Sequence, residues 1–235
     1  MAYGIIFDLD GTLADTMDDL KTAMNSALAI LGYEPRTKFE LLNFINNGSR
    51  EFVRRSLPTA VQTEDFIIDS TLEIYGQEYE KCFCEKTHAY PGIYEMVQVL
   101  KNDGYRLGIL SNKPDRFVKT IAAKLFGHDT FDFVLGQCDL PHKPDPASAL
   151  YVAKMMGVKP SRCVFVGDSD VDIKTAKNAK MRSIGVSWGY RSVDLLTQTG
   201  ADYIAENPAA ILEHFRECVR IMKMEKKMDK EKENN

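Results

Sequence analysis

Short apolar runs alternate along the chain with longer segments in which apolar residues recur every three or four positions. The runs fall at residues 3–9, 105–110, 131–136, 163–166, 182–186 and 202–204. Continuous apolar stretches of this length predict strands buried on both faces. The helical period appears at residues 93–102, 115–126, 145–156, 170–179 and 208–222. Strand–helix alternation of this kind predicts an α/β fold, a Rossmann-like parallel sheet with helices on both faces. No internal repeat is visible.

One stretch breaks the alternation. Residues 16–87 hold no strand pattern and read as amphipathic helices at 17–31, 37–46, 49–56 and 64–82, punctuated by Gly32, Pro35 and Pro58. Tyr90-Pro91-Gly92 then returns the chain to the alternating pattern. The expected organisation is an α/β core of residues 1–15 and 88–222, an inserted all-α cap of residues 16–87, and a charged tail of residues 223–235. Insertions at strand ends are where α/β enzymes carry lids. The Lys- and Glu-dense tail reads as a solvated helix end.

Composition narrows the class. Of 235 residues, 44% are hydrophobic and 27% charged, an ordinary soluble balance, and the net charge of -4 offers no basic field for nucleic acid. No apolar stretch approaches the roughly 20 residues that span a bilayer, and Met1-Ala2-Tyr3 leads directly into a strand without a secretory pattern. Cys82, Cys84, Cys138, Cys163 and Cys218 are odd in number and lack zinc-site spacing. They read as reduced thiols of a cytoplasmic protein.

The candidate chemistry sits at strand ends. Asp8-Leu9-Asp10-Gly11-Thr12 follows the first run. In extended chain, residues i and i+2 point the same way, so Asp8 and Asp10 can both face what lies beyond the strand. Like charges that close need a cation or a shared proton, although an Asp-rich strand end can equally be a turn or a helix cap. A calcium loop fails on spacing, because its required sixth-position glycine is here Leu13. Three further clusters follow in order: Leu110-Ser111-Asn112-Lys113-Pro114, Lys143-Pro144-Asp145-Pro146, and Gly167-Asp168-Ser169-Asp170-Val171-Asp172.

Taken together, these four clusters resemble the signature of the haloacid dehalogenase superfamily of phosphohydrolases. The helical insert resembles the cap of its phosphoglycolate phosphatase branch. The likeness spans residues 3–215. It implies a Mg²⁺-dependent phosphatase that acts on a small phosphorylated metabolite through an aspartyl-phosphate, with 2-phosphoglycolate the leading substrate. By this resemblance Asp8 is the nucleophile and Asp10 the general acid/base, which Thr12 orients. Lys143 offsets charge beside Asp8. Gly11, Thr12, Ser111, Asn112 and Lys143 hold phosphate. Asp8, Asp168, Asp172 and the backbone carbonyl of Asp10 surround the metal. Gly48 and Arg50 sit where related caps carry a substrate-facing loop, and the cap hinges lie near residues 14–16 and 87–91.

A phosphosugar mutase is disfavoured, since related mutases carry a histidine near position 20 and none occurs before His88. A dehalogenase would lack Asp10, and a non-catalytic binder would be expected to lose Asp8, Asp10 or Lys143. Pyrophosphate and nucleotide hydrolysis remain variants of the same chemistry. A monomer or homodimer is expected, with no nucleic-acid or membrane partner. One departure is visible: the helix after the fourth motif carries Ala176-Lys177-Asn178-Ala179 and then Lys180, where the family often has glycine.

Overall fold

Strand β1 (Gly4–Phe7) lies in the middle of the sheet, and each of its residues is buried. The structure is a computed structural model that describes residues 2–233, with side chains through residue 226. After β1 come the two-residue strand β2 (Ala14–Asp15) and helices α1 (Met17–Ile30), α2 (Lys38–Phe44), α3 (Gly48–Ser56) and α4 (Asp65–Cys82). The short strand β3 (His88–Ala89) then leads to α5 (Ile93–Asn102), β4 (Arg106–Pro114), α6 (Asp115–Phe126), β5 (Phe133–Gln137) and α7 (Ala147–Met155). The chain closes with β6 (Cys163–Gly167), α8 (Asp170–Asn178), β7 (Arg182–Val186), α9 (Val193–Thr199), β8 (Tyr203–Ala205) and α10 (Pro208–Glu233).

Six strands form one parallel sheet in the order β5-β4-β1-β6-β7-β8. Alternate β1 side chains serve opposite faces, as the strand period requires. Ile5 and Phe7 belong to the core shared with Ile93, Val97, Ile211 and Phe215. Ile6 packs with Ala149, Val152, Phe165 and Ala176 on the other face. Burial on both sides is why the strands read as unbroken apolar runs. In this order β1 lies between β4 and β6, a topological switch point, and the crevice beyond the carboxyl ends of such strands is where ligands bind.

Helices α1–α4 form a cap inserted between β2 and β3. These two strands pair antiparallel, Ala14 with Ala89 and Asp15 with His88, so the outgoing and returning chains are joined as a two-strand ribbon. Buried Asp19 on α1 fixes the return: it accepts from the Lys86 and Thr87 amides at 2.9 Å each and from Thr87 Oγ1 at 2.7 Å. Inside the cap, Phe52 meets Tyr75 edge-on at 5.7 Å and Tyr75 stacks on Tyr79 at 5.9 Å. A Thr37–Glu40 capping box starts α2.

The structure adds elements that the hydrophobic pattern does not predict. Helix α9 buries one side chain, Leu196, and so has no apolar stripe to read. Strands β2 and β3 are too short to show alternation. The expected core–tail boundary at residue 222 is not an element boundary, because α10 continues to Glu233; Met1, Asn234 and Asn235 lie outside the described residues. Among the described residues no helix is long and apolar enough to cross a membrane, and the five cysteines are unpaired. Where α8 ends, Lys180 adopts φ +56, the left-handed conformation for which glycine is the usual residue.

Candidate active site

The carboxyl ends of β1, β4 and β6 meet beneath the cap, and there the four sequence clusters converge. Asp8 directly follows β1 and is tied to the neighbouring strand by its amide, which donates to Val166 O at 2.9 Å. Asp168 follows β6, and Asp172 lies in the first turn of α8. Each of the three carboxylates has an oxygen within 4.8 Å of the others, and all three are buried.

Lys143 is the cation at the centre of this group. Its buried Nζ lies 3.0 Å from Asp8 Oδ1 and 2.7 Å from Asp172 Oδ1. Burial alone would lower its pKa, yet the charges of Asp172 and Asp8 raise it above the ordinary lysine value. Asp172 is oriented for this contact by a capping box. Ser169 Oγ donates to Asp172 Oδ2 at 2.6 Å and the Ser169 amide donates to the same oxygen at 3.1 Å. The Asn112 side chain fixes the Lys143 backbone from the other side. Its Oδ1 accepts from Lys143 N at 2.9 Å and its Nδ2 donates to Lys143 O at 3.1 Å.

One ammonium does not balance three carboxylates. Burial pushes the Asp8 carboxyl up to about 7, with Lys143 pulling it down and Asp172 and Asp10 reinforcing the rise. Asp168 is pushed well above the carboxylate range by burial and by the charges of Asp172 and Asp8. The donors are oxygens only, a set that suits a hard divalent cation such as Mg²⁺. The residues therefore fit the ion that the sequence implies. Both oxygens of Asp172 are engaged by Lys143 and Ser169, and those of Asp168 by Thr12 at 3.5 Å and the Tyr190 amide at 2.7 Å. Asp8 meets the Leu9 amide and Lys143 through Oδ1, which makes Asp8 Oδ2 the best-placed carboxylate oxygen for the ion.

Asp10 stands apart from this group. Its Oδ1 accepts from Thr16 Oγ1 at 2.5 Å and from Lys113 Nζ at 3.0 Å. The Asp10 carboxylate is not among the clustered groups, which leaves only its backbone carbonyl for a role at the ion. The structure corrects one expectation: Thr16, not Thr12, orients the carboxylate. Thr12 Oγ1 instead points to Asp168 Oδ1 at 3.5 Å, because the turn after Asp10 places position 12 beside the fourth motif. Gly11 has φ +80, and a Cβ there would stand 2.4 Å from Asp168 Oδ2, so only glycine fits.

A cavity opens above these groups, with about 860 Å³ of empty space including its mouth. Asp8, Asp10, Ser111, Asn112, Lys113 and Lys143 line its floor, while Leu20, Phe52, Leu72, Tyr75 and Tyr79 of the cap line its roof. Gly48 also lines it. With φ +81, and with a Cβ there standing 3.0 Å from His142 Cε1, glycine lets the cap loop close onto the core. Arg50 does not line the cavity. Its guanidinium pairs with Asp65 at 2.6 Å and Asp69 at 3.0 Å, one helical turn apart on α4, so the expected substrate-facing role is not met.

Several site residues escaped the sequence reading. Lys113 and Thr16 hold Asp10, and the Tyr190 hydroxyl accepts from the Thr16 amide at 3.1 Å. Arg191 reaches from the core to the cap carbonyls of Leu42 and, at 2.8 Å, Ile45. Asn46, in the cap loop, has φ +93, a strained conformation for a non-glycine residue, and its carbonyl accepts from Asn112 Nδ2 at 3.3 Å. Lys113 carried the clearest available signal, a lysine next to Ser-Asn in an otherwise buried strand end.

Comparison with known proteins agrees with this geometry. Residues 5–186 match the haloacid dehalogenase-like hydrolase family. A phosphoglycolate phosphatase of Psychrobacter arcticus is 36% identical over 221 residues, 92% of this chain and 93% of that protein. Phosphoglycolate phosphatase 1 of Pseudomonas aeruginosa is 33% identical over 219 residues, 92% of this chain and 78% of that protein. The crystal structure of a predicted phosphoglycolate phosphatase from Haemophilus somnus matches with a TM-score of 0.83 at 31% identity, covering 90% of this chain and 97% of that one. The parallel sheet, the inserted helical cap, the four strand-end clusters and these matches make the chain a member of the haloacid dehalogenase-like hydrolase family.

Proposed function

We propose that this chain hydrolyses a small phosphomonoester through a phosphoryl group carried on Asp8, and that 2-phosphoglycolate is its substrate. The reaction class rests on the separation of Asp8 from Asp10: one carboxylate lies in a cation-demanding cluster, the other in its own pair with Thr16 and Lys113. Two carboxylates in such different surroundings can divide nucleophilic and acid/base work. The substrate rests on the names of the relatives.

Asp8 attacks phosphorus, and the bond from phosphorus to the ester oxygen breaks. Asp10 gives its proton to the departing alkoxide, then accepts one from the water that attacks phosphorus, which breaks the bond to Asp8 and releases inorganic phosphate. Ser111 at the cavity floor and Lys143 hold the phosphoryl oxygens. A Mg²⁺ ion held by Asp8, Asp168 and the Asp10 carbonyl, with Asp172 orienting Lys143, would supply positive charge to the nucleophile and the phosphoryl group. The hydrophobic cap excludes water from the first step, and residues 16–87 move as a lid on the β2–β3 ribbon.

Phosphate release from 2-phosphoglycolate, sugar phosphates, nucleotides and pyrophosphate tests this reading, with Mg²⁺ and with chelator. Mg²⁺-dependent release, strongest on 2-phosphoglycolate, is expected. A flat profile would remove the substrate assignment and leave the chemistry. No Mg²⁺-dependent release on any compound would remove both.

A further inference from the structure

We propose that Lys113 reads a carboxylate on the leaving group, which makes the preferred substrates phosphate esters of 2-hydroxy acids. The inference rests on the phosphatase reading above and assigns its specificity to one side chain.

Three cations line the cavity among the described residues: Lys113, Arg116 and Lys143. Lys143 pairs with Asp8 and Asp172, and its remaining donor serves the phosphoryl oxygens. Arg116 is an exposed rim residue paired with Glu80 at 2.9 Å. Lys113 is buried and has one carboxylate partner, Asp10, at 3.0 Å. Its ammonium also lies over the face of Tyr79, 4.7 Å from the ring centroid. An ammonium has three donors, and one carboxylate and one ring leave it able to accept a second anion.

The cap supplies no competing cation. Arg36 binds Ser56 O and Glu40, Arg50 binds Asp65 and Asp69, and Arg54 and Arg55 share Glu51. None of these arginines lines the cavity. The roof above Lys113 is Leu20, Tyr75 and Tyr79, which keeps the local dielectric low and strengthens an ammonium–carboxylate pair.

The spacing matches a 2-hydroxy acid ester. The ester oxygen must sit within hydrogen-bond reach of Asp10, and the anion within reach of Lys113, whose Nζ is 3.0 Å from Asp10 Oδ1. In a phosphorylated 2-hydroxy acid, the ester oxygen and a carboxylate oxygen are three bonds apart, roughly 3 Å through space at ordinary bond lengths. Both oxygens can therefore be met at once, one by each side chain.

The test compares kcat/KM for 2-phosphoglycolate and for 2-hydroxyethyl phosphate, in which a neutral CH₂OH replaces the carboxylate. The wild-type chain is expected to prefer 2-phosphoglycolate. Lys113→Met should cut that preference roughly 10- to 100-fold, the range for losing a charged hydrogen bond, whatever it does to both rates through Asp10. Lys113→Gln keeps a donor for Asp10 and should also lose the preference, so folding of the Met variant is not essential. Equal losses on the two esters would show that Lys113 only positions Asp10, and would overturn the proposal. A wild-type chain that hydrolyses both without preference would overturn it while leaving the phosphatase reading intact. Release from neither ester would overturn it together with the 2-phosphoglycolate assignment, and the phosphatase reading would fall as well only if sugar phosphates, nucleotides and pyrophosphate also released no phosphate.

Discussion

The floor and the roof of the cavity are built on opposite principles. The floor is charged and held by hydrogen bonds: Asp8 and Asp172 share Lys143, Asp168 accepts from the Tyr190 amide at 2.7 Å, and Asp10 is gripped by Thr16 and Lys113. The roof is a packed layer of Leu20, Phe52, Leu72, Tyr75 and Tyr79, and the cap's arginines are satisfied elsewhere in the cap or its turns. Buried charges cost several kcal/mol unless compensated, so each floor residue needs a fixed partner. Apolar packing needs only matching volume and tolerates exchange. In the proposed mechanism the difference separates two tasks: the floor performs the chemistry, and the roof sets how dry and how large the site is.

Breaking the floor should have the largest effects. Asp10→Asn is expected to slow hydrolysis of an alkyl phosphate by about 10²- to 10⁴-fold, the usual range for a lost general acid/base. An activated aryl phosphate should lose less, since its leaving group needs no proton. The ratio of the two rates is the readout, and an equal loss on both would argue against the acid role. Thr16→Val removes the 2.5 Å hydrogen bond to Asp10 and leaves the carboxylate in place. We expect a loss of roughly 10-fold, in line with one hydrogen bond to a charged group, measured as kcat on the same alkyl ester.

Loosening the roof should do less and act on another parameter. Arg191 is the core's grip on the cap carbonyls of Leu42 and Ile45. Arg191→Gln should raise KM by several-fold, within the range for charged hydrogen bonds, similarly for esters with and without a carboxylate. A change confined to kcat would place Arg191 in the chemistry instead. Away from both regions, Lys180→Gly should stabilise the fold by about 0.5–1 kcal/mol, because glycine relieves the left-handed backbone and gives back part of the gain through chain entropy. A denaturant midpoint shows the shift, and turnover should not change.

The same contrast explains what could be read from the sequence. The floor was legible because its residues follow apolar runs, so Asp8, Ser111 and Asp168 are marked by position, and a parallel sheet brings strand ends together. The cap helices were legible from their period, but the partner of each polar side chain was not. Arg50 pairs with Asp65 and Asp69, 15 and 19 residues on in another helix, and no local pattern announces that. Thr12 and Thr16 are equally plausible partners for Asp10 along the chain; the turn at Gly11 decides between them. Helix α9 was missed because one buried leucine makes no stripe, although Ser192 caps it in the ordinary way, accepting from the Leu195 amide.

The central claim is that chemistry passes through Asp8. The most direct measurement is phosphate release from 2-phosphoglycolate in Mg²⁺ by the wild-type chain and by Asp8→Asn, with circular dichroism to show that both are folded. Asparagine is nearly isosteric and cannot form the phosphorylated carboxylate, so the variant should fall to background. A folded Asp8→Asn variant that keeps turnover within about tenfold of wild type, a change of only about 1.4 kcal/mol in the barrier, would contradict the account.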